Sequence, residues 1–194
     1  AKFLSDINVN TPWTIDVKKN LPEKYPCIFK NRFSSGSRNI FLLSDQKEAK
    51  FFANKYPYSI FQEYLNDDSQ EYTCTIFRSK SKKIKTIIFL RHLSGGMTSW
   101  AKEIDNKQIN QLCIKIANKL NLVGSLNIQL RYHKKIPKIF EINPRFSSTV
   151  LMRNQLGFKD LIWFLFDAQK IKINLSRTPS LKEIVKVNDV SLLR

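Results

Sequence analysis

Two stretches in the second half of the chain, residues 126–132 and 136–142, largely alternate apolar and polar side chains, and three residues separate them. A period of two predicts β-strands, and so short a connection requires that the two strands pair antiparallel. Apolar side chains remain to fill a core on this hairpin, at Leu126, Ile128, Leu130, Ile139 and Ile142. The chain must therefore build at least one antiparallel sheet with a buried side.

Similar patterns elsewhere predict a mixture of helices and antiparallel strands. Further strands are expected at 25–30, 39–43, 59–65, 71–77 and 84–93, and helices at 2–8, 45–54, 105–120, 149–156 and 159–168. Ser44 and Asp105 are the predicted N-caps of the second and third helices. The order of elements is not a parallel βαβ array and no G-x-G-x-x-G occurs, so a dinucleotide-binding fold is disfavoured. The predicted fold class is α+β.

Four oxygen-bearing side chains are expected on one face of the last hairpin. If its turn centres on Lys135, Gln129 opposes Glu141 and Asn127 opposes Asn143. One carboxylate and three amides on rigid strands would suit Mg²⁺, which takes few protein oxygens and completes its shell with water and phosphate. The pattern by itself fits equally well an amphipathic hairpin whose polar face meets water.

Charge and composition limit the function classes. The chain has 33 Lys and Arg against 16 Asp and Glu, a net charge of +17, which suggests an anionic partner. The basic residues are dispersed, and the densest run, 78–85, lies between two predicted strands as a solvated turn would, so nucleic-acid binding is disfavoured. No apolar run approaches the roughly 18–20 residues of a membrane span. The widely spaced Cys27, Cys74 and Cys113 are predicted to be buried reduced thiols, as in a cytoplasmic protein.

The hairpin carries Gly-Ser-Leu-Asn-Ile-Gln at 124–129 and Phe-Glu-Ile-Asn-Pro-Arg-Phe-Ser-Ser at 140–148. Together these segments resemble the ATP-grasp superfamily, and most of all its branch related to the large subunit of carbamoyl phosphate synthetase. The resemblance implies ATP as cofactor with two Mg²⁺ ions, for which Mn²⁺ can substitute. It implies Gln129, Glu141 and Asn143 as metal ligands and places Arg145 beside the transferred phosphate.

Other segments match that family in the expected order and imply contacts with the nucleotide. Lys30 resembles the basic residue that a strand delivers to the phosphates, and the loop 34–38 resembles the phosphate-covering loop. Glu63 and Leu65 would bind adenine through backbone groups, and Glu71 would accept from the ribose hydroxyls. The residues implied to bind the nucleotide are Lys2, Lys30, Ser35, Gly36, Ser37, Gln62, Glu63, Tyr64, Leu65, Glu71 and Asn127.

Two further polar positions have competing interpretations. Arg91 opens a segment where the resembled family has acceptor-site residues, so it would hold a substrate carboxylate. It fits equally well the solvent-exposed end of a strand. His133, beside Lys134 in the predicted turn, is expected to be an exposed turn residue rather than a catalytic one.

The activity that the resemblance implies is that of an ATP- and Mg²⁺-dependent ligase. A carboxylate is activated as an acyl phosphate and is then attacked by an amine or similar nucleophile, with Arg145, Lys30 and Arg91 as the candidate catalytic residues. The expected partners are ATP and small-molecule carboxylate and amine substrates. Two alternatives stay open, namely a nucleotide-binding module that is inactive without a missing N-terminal domain, and a basic nucleic-acid-binding domain.

The implied fold has two lobes, each with an antiparallel sheet and packed helices, and the nucleotide between them. The small lobe is expected at about 22–64, and the large lobe at about 65–170 together with the N-terminal segment. The Rossmann-like domain that usually precedes such a module is expected to be absent here or supplied by another chain.

Overall fold

The computed structural model describes residues 2–33, 39–65 and 70–186. The helices in these ranges are α1 (Lys2–Asp6), α2 (Gln46–Lys55), α3 (Lys107–Leu120), α4 (Val150–Gln155) and α5 (Asp160–Ala168). The strands are β1 (Thr14–Asp16), β2 (Cys27–Asn31), β3 (Ile40–Leu43), β4 (Ser59–Glu63), β5 (Glu71–Arg78), β6 (Ile84–Ser94), β7 (Met97–Glu103), β8 (Gly124–His133), β9 (Ile136–Asn143) and β10 (Glu183–Val185).

These elements form two compact units. The first comprises Ala1–Ser69 and Arg131–Phe140, and the second comprises Gln70–Leu130 and Glu141–Arg194. The N-terminal segment therefore lies in the first unit, whereas the predicted division grouped it with the large lobe. Two backbone hydrogen bonds account for this placement, from the Glu63 N–H to the Trp13 carbonyl at 2.9 Å and from the Ile139 N–H to the Asn10 carbonyl at 3.0 Å.

The first unit is built on a four-stranded antiparallel sheet in the order β1-β4-β2-β3. The inward side chains of its strands and of α2 form one apolar cluster, made of Cys27, Phe29, Leu43, Ala49 and Phe61. The ring of Phe29 lies at the centre, 5.2 Å from that of Phe52 and 5.6 Å from that of Phe61 between centroids. This aromatic core holds β2 and β4, the two strands that carry Lys30 and Glu63.

Both predicted N-caps lie one residue before the observed ones. The Asp45 carboxylate accepts from the N–H groups of Lys47 at 2.7 Å and Glu48 at 2.9 Å, so it caps α2 in place of Ser44. The Asn106 side chain accepts from the Ile109 N–H at 3.0 Å, so it caps α3 in place of Asp105. Each correction has the same reason, since two good capping residues stand side by side and only one reaches the N–H groups two or three positions on.

A six-stranded sheet has the order β10-β7-β6-β5-β8-β9, and most of its residues belong to the second unit. Strands β5, β6 and β7 pair antiparallel, as predicted for the first two, with Cys74 opposite Ile88 and Phe89 opposite Glu103. On one face, Cys74 contacts Cys113 of α3. On the other face lies an apolar cluster under α4 and α5, made of Phe77, Ile87, Phe89, Ala101, Met152, Phe158 and Trp163.

The three cysteines confirm the prediction of buried thiols. Cys27, Cys74 and Cys113 are buried and none of them is in a disulfide. Burial raises the pKa of the Cys27 thiol to about 11, with a smaller contribution from Glu48, and burial also raises the pKa of Cys74. These thiols are therefore poor nucleophiles. No helix in the described ranges has the length and apolar character needed to cross a membrane.

Candidate functional site

The predicted site residues divide between the two units. Within the first unit lie Lys2, Lys30, Gln62, Glu63, Tyr64 and Leu65. Within the second lie Glu71, Arg91, Asn127, Gln129, Glu141, Asn143 and Arg145. Ser35, Gly36 and Ser37 of the predicted phosphate-covering loop lie outside the described residues. Each unit therefore carries some of the predicted residues.

In the first unit, the adenine-type segment begins at the end of β4. Gln62 is buried, and its amide donates to the Thr14 hydroxyl at 3.0 Å. The Glu63 carboxylate accepts from Lys138 Nζ at 2.6 and 2.7 Å, and the Leu65 carbonyl accepts from the Arg131 guanidinium at 3.2 Å. Side chains from 131–140 thus hold this segment in place.

The basic residues of the first unit sit at different depths. Lys30 is half-buried in β2, opposite Ile40 of β3 and Ile60 of β4, while Lys2 is exposed at the start of α1.

His133 is not the exposed turn residue that was predicted. It ends β8 with a half-buried side chain, and its Nε2 lies 4.0 Å from the Glu63 carboxylate. The correction arises because the turn occupies only the two residues after His133.

In the second unit, Arg91 lies at the centre of a hydrogen-bonded network. Its Nε and Nη2 donate to the Glu71 carboxylate at 3.0 and 2.5 Å, and its Nη2 also donates to the Gln129 amide oxygen at 2.9 Å. Its Nη1 donates to the Thr98 hydroxyl at 3.3 Å. Arg91 is 9% exposed, so the interpretation of a solvent-exposed strand end is wrong. The carboxylate that it contacts in this structure is that of Glu71.

Asn127 forms a neighbouring set of hydrogen bonds on the same two strands, β5 and β8. It is 1% exposed, and its side-chain oxygen accepts from the hydroxyls of Thr73 at 3.0 Å and Thr75 at 3.5 Å. The two sets together are named the Arg91 cluster below and consist of Glu71, Thr73, Thr75, Arg91, Thr98, Asn127 and Gln129. Sequence reasoning missed the three threonines. For Thr73 and Thr75, the available signal was their alternation with Glu71 along β5.

The end of β9 forms a second, separate group. The Asn143 amide donates to the Glu141 carboxylate at 2.7 Å, with Glu141 exposed and Asn143 half-buried. The Arg145 N–H donates to the Asn143 carbonyl at 2.8 Å, which turns the chain, and the Arg145 guanidinium donates to the Phe146 carbonyl at 3.1 Å. A carboxylate, an amide and an exposed arginine are thereby grouped within five residues of sequence.

The predicted patch of four oxygen-bearing side chains is therefore two sets. The turn is made by Lys134 and Lys135 alone, with φ of 50° and 65°, and so is not centred on Lys135. Two consecutive residues at positive φ are typical of a type I′ turn. In the described contacts, Asn127 bonds to Thr73 and Gln129 bonds to Arg91, both within the Arg91 cluster. Glu141 bonds instead to Asn143.

Of the three predicted metal ligands, Glu141 and Asn143 suit Mg²⁺ better than Gln129 does. Among the described residues, no group of three or more His, Cys, Asp or Glu is placed to hold a metal. Glu141 and Asn143 do offer hard oxygens at an accessible strand end, which suits an ion that keeps much of its shell as water and phosphate. The Gln129 oxygen instead faces the guanidinium of Arg91, which disfavours a second cation there.

Comparisons with known proteins agree with one another on the fold. Residues 1–149 match the sequence profile of a family described as ATP-grasp domain. No curated protein matches the sequence. Among solved structures, N5-carboxyaminoimidazole ribonucleotide synthetase from Thermus thermophilus superposes with a TM-score of 0.76 at 15% identity, covering 94% of this chain and 53% of that one.

Two other enzymes superpose on this chain over most of its length. The biotin carboxylase domain of the 2-oxoglutarate carboxylase from Hydrogenobacter thermophilus, solved with MgADP, ADP and bicarbonate, has a TM-score of 0.76 at 11% identity and covers 91% of this chain and 45% of that one. The L-amino acid ligase from Bacillus licheniformis has a TM-score of 0.68 at 15% identity, with 87% and 46% covered. The chain spans about half the length of these structures.

Proposed function

Because this chain belongs to the ATP-grasp family, we propose that it binds ATP with Mg²⁺ and forms the nucleotide-binding part of a ligase that joins a carboxylate to an amine or similar nucleophile. Its fold is the two-unit α+β fold of ATP-grasp proteins, as the Glu-Ile-Asn-Pro-Arg segment predicted. The branch related to carbamoyl phosphate synthetase is the finer proposal, and its support is the sequence of that segment.

The single observation that carries the proposal is the group at the end of β9. Glu141 and Asn143 would hold Mg²⁺ through their oxygens, and the exposed Arg145 would face the phosphoryl group that is transferred. The resemblance implies two Mg²⁺ ions, for which Mn²⁺ can substitute. Bound there, the metal would neutralise charge on the phosphate oxygens. Gln129 remains a proposed metal ligand with weaker support than Glu141 and Asn143, because its side-chain oxygen already accepts a hydrogen bond from Arg91.

The remaining nucleotide contacts are proposed on the basis of resemblance, and the observed hydrogen bonds support their positioning. Glu63 and Leu65 would bind adenine through backbone groups, in a segment that Lys138 and Arg131 hold. Glu71 would accept from the ribose hydroxyls. The other residues proposed to contribute to the nucleotide site are Lys2, Lys30, Ser35, Gly36, Ser37, Gln62, Tyr64 and Asn127.

The proposed reaction needs positioning and charge neutralisation rather than a protein nucleophile. A substrate carboxylate oxygen attacks the γ-phosphorus, the bond to the bridging oxygen breaks, and ADP leaves with the electron pair. The amine then attacks the acyl carbon and phosphate leaves. Arg145 and Lys30 would neutralise the charge that builds on the phosphoryl oxygens. No thiol nucleophile is required, which agrees with the burial of all three cysteines and with the raised pKa values of Cys27 and Cys74.

Calorimetric titration of the protein with ATP, with and without Mg²⁺, tests the proposal. Mg²⁺ is expected to strengthen ATP binding, and Glu141→Ala is expected to weaken Mg²⁺-ATP binding by about tenfold or more, which is about 1.4 kcal/mol. Glu23→Ala is the matched control, since it removes an exposed carboxylate outside the proposed site. Absence of Mg²⁺-dependent ATP binding, or an unchanged affinity in Glu141→Ala, would overturn the assignment.

A further inference from the structure

Behind the segment that carries Arg145 lies a buried ion pair that the proposed chemistry does not use. Arg153 of α4 is 0% exposed and Asp160, the first residue of α5, is 1% exposed. The Arg153 Nε and Nη2 donate to the two carboxylate oxygens of Asp160, each at 2.8 Å. This is a bidentate pair of the kind that fixes both position and orientation.

The pair also bonds to the segment that follows Arg145. The Arg153 Nη1 donates to the Ser147 hydroxyl at 2.9 Å and to the Thr149 hydroxyl at 3.1 Å, and these two hydroxyls lie 2.8 Å apart. Ser147 is only two residues beyond Arg145. The guanidinium therefore fixes where the chain goes after the group of Glu141, Asn143 and Arg145.

The other side of the pair is anchored to the central sheet. The Ser125 hydroxyl donates to the Asp160 carboxylate at 2.6 Å, and Ser125 lies in β8, two residues before Asn127. The network thus runs from β8 through Asp160 and Arg153 to Ser147. It connects a rigid strand of the second unit to the loop after β9.

Stability alone does not explain two charges at this place. The neighbours Met152, Phe158 and Trp163 belong to the apolar cluster. A well-packed apolar pair of similar volume is often as stabilising as a buried ion pair, because desolvation offsets the attraction of the charges. What an ion pair adds is directional bonding, with fixed donors for the two hydroxyls of the loop.

We propose that Arg153 and Asp160 are positioning residues, which set the loop after β9 so that Asn143 and Arg145 meet the terminal phosphates of ATP. The inference depends on the proposed function, because it assumes that ATP binds at this group. Both side chains are almost fully buried, so they would act through the loop rather than by contact with the nucleotide. Because that loop follows Arg145, we expect their effect on the binding of the terminal phosphates and not of the adenosine part.

The test compares the affinities for Mg²⁺-ATP and for AMP by calorimetry. The wild-type protein is expected to prefer Mg²⁺-ATP. In the double variant Arg153→Met with Asp160→Leu, that preference should fall by about tenfold or more, while the dissociation constant for AMP stays within about twofold. A second variant, Ser147→Ala with Thr149→Val, keeps the ion pair and removes only its bonds to the loop. It should reduce the preference in the same direction, and it decides the test if the first variant does not fold.

The matched control is another buried ion pair of the second unit. Arg177 donates to Glu103 at 2.7 Å with both of its Nη atoms, and the two side chains are 5% and 2% exposed. Arg177→Met with Glu103→Leu removes a comparable pair that bonds to no residue of the Arg145 segment. Its preference for Mg²⁺-ATP should equal that of the wild-type protein.

The outcomes distinguish a failure of the proposed function from a failure of the positioning role. A wild-type protein without preference for Mg²⁺-ATP over AMP would overturn the proposed function itself. A wild-type protein with that preference, retained in full by the Arg153 and Ser147 variants, would overturn only the positioning role. An equal loss in the Arg177 control would also overturn it, because a general effect on stability would then explain the result.

Discussion

Along one face of the six-stranded sheet, the same strands bury aromatic rings at one end and a polar network at the other. On β5 this face carries Glu71, Thr73, Thr75 and then Phe77, since residues two apart share a face. The Phe77 end lies under α4 and α5, with the Trp163 ring 5.7 Å away. The Glu71 end instead holds the Arg91 cluster.

The difference shows that alternation decides which face a side chain occupies, not what that face is used for. At the apolar end, the side chains fill space and their contribution is to stability. At the polar end, buried groups bond either to the Arg91 guanidinium or to Asn127, and each needs its partners because an unpaired buried polar group is costly. Three of those groups, Glu71, Asn127 and Gln129, are proposed site residues. Perturbing the two ends should therefore have different consequences.

The largest expected effect is at the apolar end. Trp163→Ala should lower the free energy of unfolding by about 3–5 kcal/mol, because it removes a ring that is 6% exposed and leaves a cavity beside Phe77 and Phe158. Urea denaturation measures the change. Phe51→Ala, with a ring that is 59% exposed, should change stability by less than about 0.5 kcal/mol.

Folded Trp163→Ala protein should bind Mg²⁺-ATP with wild-type affinity at low temperature. A large loss of affinity in protein shown to be folded by circular dichroism would break the distinction between the two ends.

The next effect is at the polar end, where stability and binding should change together. Arg91→Met removes the cation from Glu71 and should cost about 3 kcal/mol, since a buried charge left without its partner is destabilising. It should also weaken Mg²⁺-ATP binding, because Glu71 and Gln129 lose the donor that orients them. Denaturation and calorimetry on the same preparation measure both quantities.

Arg91→Met with Glu71→Leu serves as the companion variant. It should recover much of the stability of Arg91→Met, because no buried charge is left unpaired, but not the nucleotide affinity. Recovery of both would show that Arg91 acts through stability alone.

The smallest expected effect sharpens the comparison, because the apolar end also has a charged group at its border. Burial would raise the pKa of the Glu103 carboxyl, but hydrogen bonds from Arg177 and Ser180 outweigh it and leave the pKa below its ordinary value of 4.5. A lowered folded-state pKa stabilises the protein above that ordinary value, and the contribution is lost as pH falls. This contribution to stability is small, because burial raises the pKa and so offsets part of the lowering by the hydrogen bonds.

Stability measured against pH for the wild-type protein and Glu103→Gln tests this. The difference between them should be constant near neutral pH and should shrink as pH falls below 4.5. A difference that grows on acidification would contradict the assigned sign.

Much of this protein could be predicted from local patterns in the sequence. The alternation in 126–132 and 136–142 required an antiparallel hairpin, and β8 and β9 form it. The Glu-Ile-Asn-Pro-Arg segment predicted the family, and the apolar settings of the cysteines predicted their burial. These features depend on neighbours within a few residues, which is the range over which periodicity and motifs carry information.

Partners far apart in the sequence were decided only by the tertiary structure. Arg91 meets Glu71 and Gln129, which lie 20 and 38 positions away, and Asp160 meets Ser125, 35 positions away. Sequence reasoning left Arg91 between a substrate contact and an exposed strand end, and it gave Arg153 no role. With 33 basic residues and 16 acidic ones, local pattern cannot identify the few cations that become buried. Strand pairing and helix packing fix those choices, because burial forces each charge to find a partner wherever the fold brings one.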